Sequence, residues 1–123
     1  MGVQTETKQS QRSRSHAERS PCPIARALDI VGDRWTLLVI RDLMFFGKRQ
    51  FGQFLESIER MPTNILADRL RRLSDSALIS RKPYQTNPVR YHYELTEKGS
   101  ELRPTIEALA RWAQDHLDSA EDC

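Results

Sequence analysis

The stretch TNILADRLRRLSDS, residues 63–76, decides how this chain is read. At about 100° per residue, Leu66, Leu70, Leu73 and Ala77 gather on one side of a helix, with Ile65 at the border. Asn64, Asp68, Arg71, Arg72 and Asp75 point the other way, and Thr63 and Ala67 lie on one flank. Such a helix buries its leucines and presents Asn and Arg, side chains that read adenine and guanine edges bidentately. An amphipathic surface helix has the same pattern, and spacing alone does not separate the two.

The flanking sequence does. Upstream, Phe51, Phe54, Leu55 and Ile58 repeat at helical spacing, and Pro62 punctuates the chain before Thr63. Two short helices joined by a tight turn, the second polar and basic outward, suit a helix-turn-helix. Downstream, Ile79 to Tyr84 and Arg90 to Leu95 read as strands, with Tyr91, Tyr93 and Leu95 alternating on one face. Gln85 to Val89 forms a tip containing Asn87-Pro88, flanked by Arg81, Lys82 and Arg90. A helix-turn-helix followed at once by a basic hairpin has the order of a winged helix, the wing lying on phosphate or in the adjacent minor groove. A hairpin that merely covers the core is compatible with this.

Three further helices frame this unit. Ile24, Ala27, Leu28 and Val31 make one apolar stripe, with Pro23 in the first turn and Gly32 at the stop. Trp35 to Phe46 is apolar nearly all round, interrupted by Thr36, Arg41 and Asp42, and belongs at the centre of the fold. After Thr96, an N-cap residue, the chain reads as helical to about Leu117, with Pro104 marking a kink or restart. Its stripe is Leu102, Ile106, Leu109, Ala113 and Leu117, with Trp112 beside it. So small a core leaves that stripe little to cover, so it is expected to pack on a partner chain together with the first helix; burial in its own domain is the alternative.

Length and composition narrow the classes. With 123 residues and a net charge of +2, the chain supports one domain plus a tail. Residues 1–20 hold only Met1, Val3 and Ala17 as apolar side chains and read as a disordered basic tail, more simply solvated than DNA-bound. Residues 21–118 form the domain and 119–123 a short tail. Arg60, Arg69, Arg71, Arg72, Arg81, Lys82 and Arg90 make the middle basic, while the C-terminal part is acidic. A basic stripe is the footprint of phosphate binding. No apolar run approaches the ~20 residues of a membrane span, and no secretory h-region is present, so a cytoplasmic, nucleoid-associated location with no membrane partner is expected. His16, His92 and His116 have no metal-ligand spacing, and no Gly-rich phosphate loop or identifiable nucleophile–base pair exists. No metal, cofactor or enzymatic activity is expected.

These motifs carry a resemblance. CPIARALDIVGDRWTLLVIRDL (22–43), NILADRLRRL (64–73), the Ile-Ser-Arg step at 79–81, Tyr84, Pro88, Arg90 and Tyr93 in the wing, and LTEKG (95–99) together resemble HxlR-type regulators, a MarR-like winged-helix family. The resemblance implies a mainly α fold with a small β-hairpin wing and N- and C-terminal dimerisation helices. It implies a homodimer on a pseudo-palindromic operator, its half-sites about one helical turn, ~34 Å, or a multiple apart. Carried over by position, Thr63, Asn64, Ala67, Asp68 and Arg71 face the major groove, Arg72 touches phosphate, and Arg81, Lys82 and Arg90 belong to the wing. Asp68 either accepts from a cytosine amino group or holds Arg71 or Arg72 in place, and Arg69 is expected in an internal ion pair. Ile24, Leu28, Leu102, Ile106, Leu109, Trp112, Ala113 and Leu117 form the dimer contact. The family carries Gly where Ala77 stands, which implies a positive φ there.

The resemblance also singles out Cys22, which stands at a helix start that favours thiolate and matches a family position that can sense oxidants or electrophiles. A plain, partly buried residue is one alternative, and a disulfide with Cys123, within or between chains, is another. Two further readings stay open: a winged-helix protein-interaction module without specific DNA binding, and a regulator with a small-molecule effector near Trp35, Phe45 and Trp112, aromatics more often found as plain core. Repression rather than activation follows by analogy only.

Overall fold

The computed structural model describes residues 20–118 and Glu121. The expected basic tail up to residue 19, and Cys123 with the disulfide considered for it, lie outside the described residues. The chain divides between Arg34 and Trp35 into two units. In the first, α1 (Pro23–Val31) begins with Pro23 in its first turn and stops at Gly32, whose N–H donates to the Leu28 carbonyl at 2.8 Å. A side chain at Gly32 would collide with that carbonyl. None of the α1 residues is buried.

The second unit runs α2 (Thr36–Phe45), α3 (Phe51–Phe54), α4 (Thr63–Asp75), β1 (Ile79–Thr86), β2 (Val89–Leu95), α5 (Glu97–Ser100) and α6 (Arg103–His116). Its core is Val39 and Ile40 from α2, Phe54 from α3, Met61 just before α4, Leu66, Leu70 and Leu73 from α4, then Leu78, Ile79 and Tyr93. Among them the α4 leucines and Tyr93 are positions that period 3.6 and period 2 select, each fully buried aliphatic contributing about 1.5–3 kcal/mol. Phe54 and Tyr93 meet edge to face with ring centroids 6.3 Å apart, joining α3 to the hairpin. The fold is mainly helical with one antiparallel hairpin in winged-helix order, as the sequence implies.

Three details depart from expectation, and the break at Pro104 is the restart that the sequence allowed. The third helix ends at Phe54, because residues 55–60 turn, and Ile58 is 88% exposed rather than on a buried stripe. The hairpin is longer, reaching Thr86 and Val89, and a bulge between Pro83 and Gln85 shifts its register. The long C-terminal helix is two: Thr96 caps α5 through the Gly99 N–H at 3.1 Å, and Pro104 lies in the first turn of α6. Pro lacks an N–H and is tolerated where the first-turn donors have no partner anyway. Phe45 and Trp112 are exposed in this chain, not core, while Trp35 is half-buried.

Candidate nucleic-acid interface

The α4 helix turns Leu66, Leu70 and Leu73 into the core, which fixes its rotation about its own axis. That leaves Thr63, Asn64, Ala67 and Arg71 exposed on the other side, with Asp68 and Arg72 half-buried. Pro62 precedes the helix and supplies no side-chain cap. The face therefore presents one hydroxyl, one carboxamide, one methyl and guanidinium groups within three turns, a set suited to base edges and phosphates.

Asp68 organises that face. One carboxylate oxygen accepts from Arg71, and the other accepts from Arg69 at 2.5 Å and lies 3.5 Å from Arg72. Burial alone would push this carboxyl up, but the hydrogen bonds from Arg69 and Arg71 hold it below the usual carboxylate range. Arg71 also lies 3.7 Å from Asp75. Of the two roles expected for Asp68, bracing the arginines is the one this geometry displays, and Arg69 is in the expected ion pair.

The wing separates its cations. Arg81 pairs across the ladder with Tyr93, Lys82 with His92, and Arg90 with Gln85. Directly opposed residues share a face, so Arg81 lies on the Tyr91–Tyr93 side and Lys82 and Arg90 on the other. Arg81 sits 4.3 Å from the Tyr91 ring centroid, a cation–π contact. Burial pushes the Tyr93 phenol up, and Arg81 beside it draws it partly back. All three cations are exposed, but they do not form one cluster at the tip. On the outer face Tyr84 stacks on His92, centroids 4.4 Å apart, and the His92 Nε2 lies 3.0 Å from the Gln50 side-chain nitrogen at the start of α3.

Sequence reasoning missed two constellations. Arg41 and Asp42, read as interruptions of an apolar helix, are both buried. Arg41 donates to both oxygens of Glu59, at 2.8 and 2.9 Å, and to Asp42 Oδ1 at 3.0 and 2.8 Å. Ser57 donates to Asp42 Oδ2 at 2.5 Å, and Lys48 donates to Ser57 at 2.9 Å. The Arg41 hydrogen bonds hold Glu59 below its ordinary range, and those to Glu59 and Asp42 raise Arg41 despite its burial. A charged pair inside an apolar helix was the available signal, since buried charges require partners. The second constellation is the LTEKG segment: Thr96 Oγ1 donates to the Ala77 carbonyl at 2.7 Å and Lys98 to the Ser76 carbonyl at 3.0 Å.

The remaining expected positions fall as follows. Cys22 is an exposed free thiol at the N-cap of α1; its N–H donates to Ser20 Oγ at 3.1 Å. Ile24 and Leu28 are exposed on α1. On the second unit, Leu109, Trp112 and Leu117 are exposed, while Leu102, Ile106 and Ala113 are half-buried. Trp112 stacks on His116, centroids 5.2 Å apart. Among the described residues, no helix is long and apolar enough to cross a membrane, and no group of three His, Cys, Asp or Glu side chains could hold a metal.

Comparison with known proteins gives a consistent set. Residues 30–121 match the HxlR-like helix-turn-helix family. An uncharacterised HTH-type transcriptional regulator of Mycobacterium tuberculosis is 42% identical over 98 residues, 80% of this chain. The match spans only 61% of that relative's length. Among solved structures, the candidate transcription factor PA1607 superposes with a TM-score of 0.74 at 36% identity, covering 89% of this chain and 74% of that one. The redox regulator HypR in its reduced form superposes with a TM-score of 0.70 at 27% identity, covering 79% and 95%.

Proposed function

The chain belongs to the HxlR-like helix-turn-helix family, and from that premise we propose that it is a sequence-specific DNA-binding transcriptional regulator, a repressor acting in the cytoplasm as a homodimer on a pseudo-palindromic operator. The observation that carries this reading is the exposed face of α4. Thr63, Asn64 and Arg71 stand on it opposite three buried leucines, Arg71 braced by Asp68. In this reading α4 enters the major groove, Thr63, Asn64, Ala67 and Arg71 meet base edges, and Arg72 meets phosphate. Lys82 and Arg90 serve the wing's outer face. The exposed Ile24, Leu28, Leu109, Trp112 and Leu117 suit contact with a second copy.

Selection of bound duplexes from a random pool, by the reduced protein near physiological salt with excess competitor, tests this. An enriched inverted repeat supports the dimeric regulator and gives the half-site spacing. Binding that enriches nothing and vanishes as salt rises favours a winged helix serving protein–protein interaction.

A second reading concerns the signal. HypR is a redox regulator, and Cys22 here is an exposed thiol at the start of α1, open to oxidants and electrophiles. Oxidation or electrophile addition at Cys22 would then modulate DNA binding. Quinone or hypochlorite should release DNA from the wild type and not from a Cys22→Ser variant; equal release from both rejects it. A small-molecule effector beside Phe45 and Trp112, both exposed, remains the alternative signal.

A further inference from the structure

The α4 core contacts begin only at Leu66: Thr63 and Asn64 are exposed and Ile65 is half-buried. Apolar packing therefore fixes the middle of the helix and leaves its first turn, which holds two of the base-facing side chains, to be placed by the turn that precedes it. That turn, residues 55–62, has one buried apolar anchor, Met61 near its end. Ile58 points to solvent, Glu56 and Arg60 are exposed, and Arg60 sits at φ +56°.

What holds the rest of the turn, residues 57–59, is polar. Glu59 is gripped by the two-pronged Arg41 guanidinium, and Ser57 is gripped by Asp42 and Lys48. Arg41 and Asp42 are adjacent on α2, whose Val39 and Ile40 are fully buried, so the anchor is rigid. Glu59 lies four residues before Thr63, and a displacement at the anchor passes directly into the first turn of α4. Buried ion clusters contribute little net stability compared with apolar packing, but their directional bonds set geometry. Base readout tolerates errors of only about 0.5 Å.

We propose that Arg41, Asp42 and Glu59 are positioning residues for base recognition: they mount the turn that sets the first helical turn of α4, and operator discrimination depends on them. This rests on the DNA-binding reading above. Arg41 and Glu59 touch no base; they act through Thr63 and Asn64.

The test uses the full chain and the duplex that the wild type selects from a random pool. Glu59→Gln keeps the shape and loses one of the two acceptors; Arg41→Lys keeps the charge and loses the fork. Each variant should unfold cooperatively and bind random duplex with the wild-type affinity and salt slope, because no phosphate contact is removed. Binding to the selected duplex should fall about tenfold, so the specificity ratio falls by the same factor. Equal losses on selected and random DNA, or an undiminished specificity ratio in a folded Glu59→Gln, overturn the proposal. So does a Glu59→Gln that no longer folds, since its role would then be stability. A wild type that selects no duplex removes the DNA-binding reading itself, and the proposal with it.

Discussion

Thr96 donates its hydroxyl proton to the carbonyl of Ala77 at 2.7 Å, and Ala77 is held at φ +63°. The same hydroxyl oxygen accepts the Gly99 N–H, and Lys98 reaches the Ser76 carbonyl beside it. The segment after the wing thus fastens the exit of α4, as the Arg41 network fastens its entry. The carbonyls at a helix C-terminus lack intrahelical partners, and here two residues distant in sequence supply them.

The left-handed conformation costs an alanine about 1–2 kcal/mol, of which glycine's greater unfolded-state freedom would return roughly half. Ala77→Gly should therefore raise stability by about 0.5–1 kcal/mol. Urea unfolding should show a higher midpoint at unchanged slope.

Gly99 has the opposite sensitivity. A Cβ there would lie 2.1 Å from the Leu78 carbonyl oxygen, which is backbone and cannot swing away. Gly99→Ala should lose about 1–3 kcal/mol by forcing α5 off the hairpin root. Thermal unfolding of the two proteins side by side measures this.

Arg71 is exposed on α4 opposite the buried leucines, and if it reads a base Arg71→Ala should cost about 1–3 kcal/mol on the selected duplex while relaxing the preferred sequence at one position. Repeating the duplex selection with the variant shows the relaxation. A uniform loss on all sequences with a shallower salt slope assigns Arg71 to phosphate.

Asp68 restrains the nearby guanidiniums, so its removal frees charge for indiscriminate contact. Asp68→Asn should strengthen random-duplex binding, steepen the salt slope by about 1, and narrow the gap between selected and random DNA. Titrations at several salt concentrations read all three.

Glu59 is held below the ordinary carboxylate range mainly by its hydrogen bonds to Arg41. A carboxyl whose folded pKa is depressed adds stability that is present above its unfolded value and lost as pH falls through the folded one. Denaturant midpoints from about pH 6 down to about pH 3 should drop more steeply for the wild type than for Glu59→Gln, with the difference closing at the acid end. Parallel pH profiles would show that Glu59 does not contribute this acid sensitivity.

Much of the fold was legible because it is periodic. The leucines of residues 66–73 recur at helical spacing, Tyr91, Tyr93 and Leu95 alternate, and both patterns reflect local geometry that any chain of this sequence adopts. The third helix was overread because Leu55 and Ile58 continue the spacing of Phe51 and Phe54. The chain nevertheless turns after Phe54, and Ile58 faces solvent. Spacing marks where an apolar stripe would be, not whether the backbone continues to wind.

The sequence by itself determined the order of elements, the face of α4 that is buried, and hence the side chains that stand opposite. Even the positive φ at Ala77 was implied by the family's glycine. Only the tertiary structure decided that Arg41 would meet Glu59, that Ser57 would meet Asp42, and that Thr96 would close on Ala77. The reason is physical. Period and propensity act between neighbours a few residues apart, whereas a buried hydrogen bond joins partners that only the folded backbone brings within 3 Å.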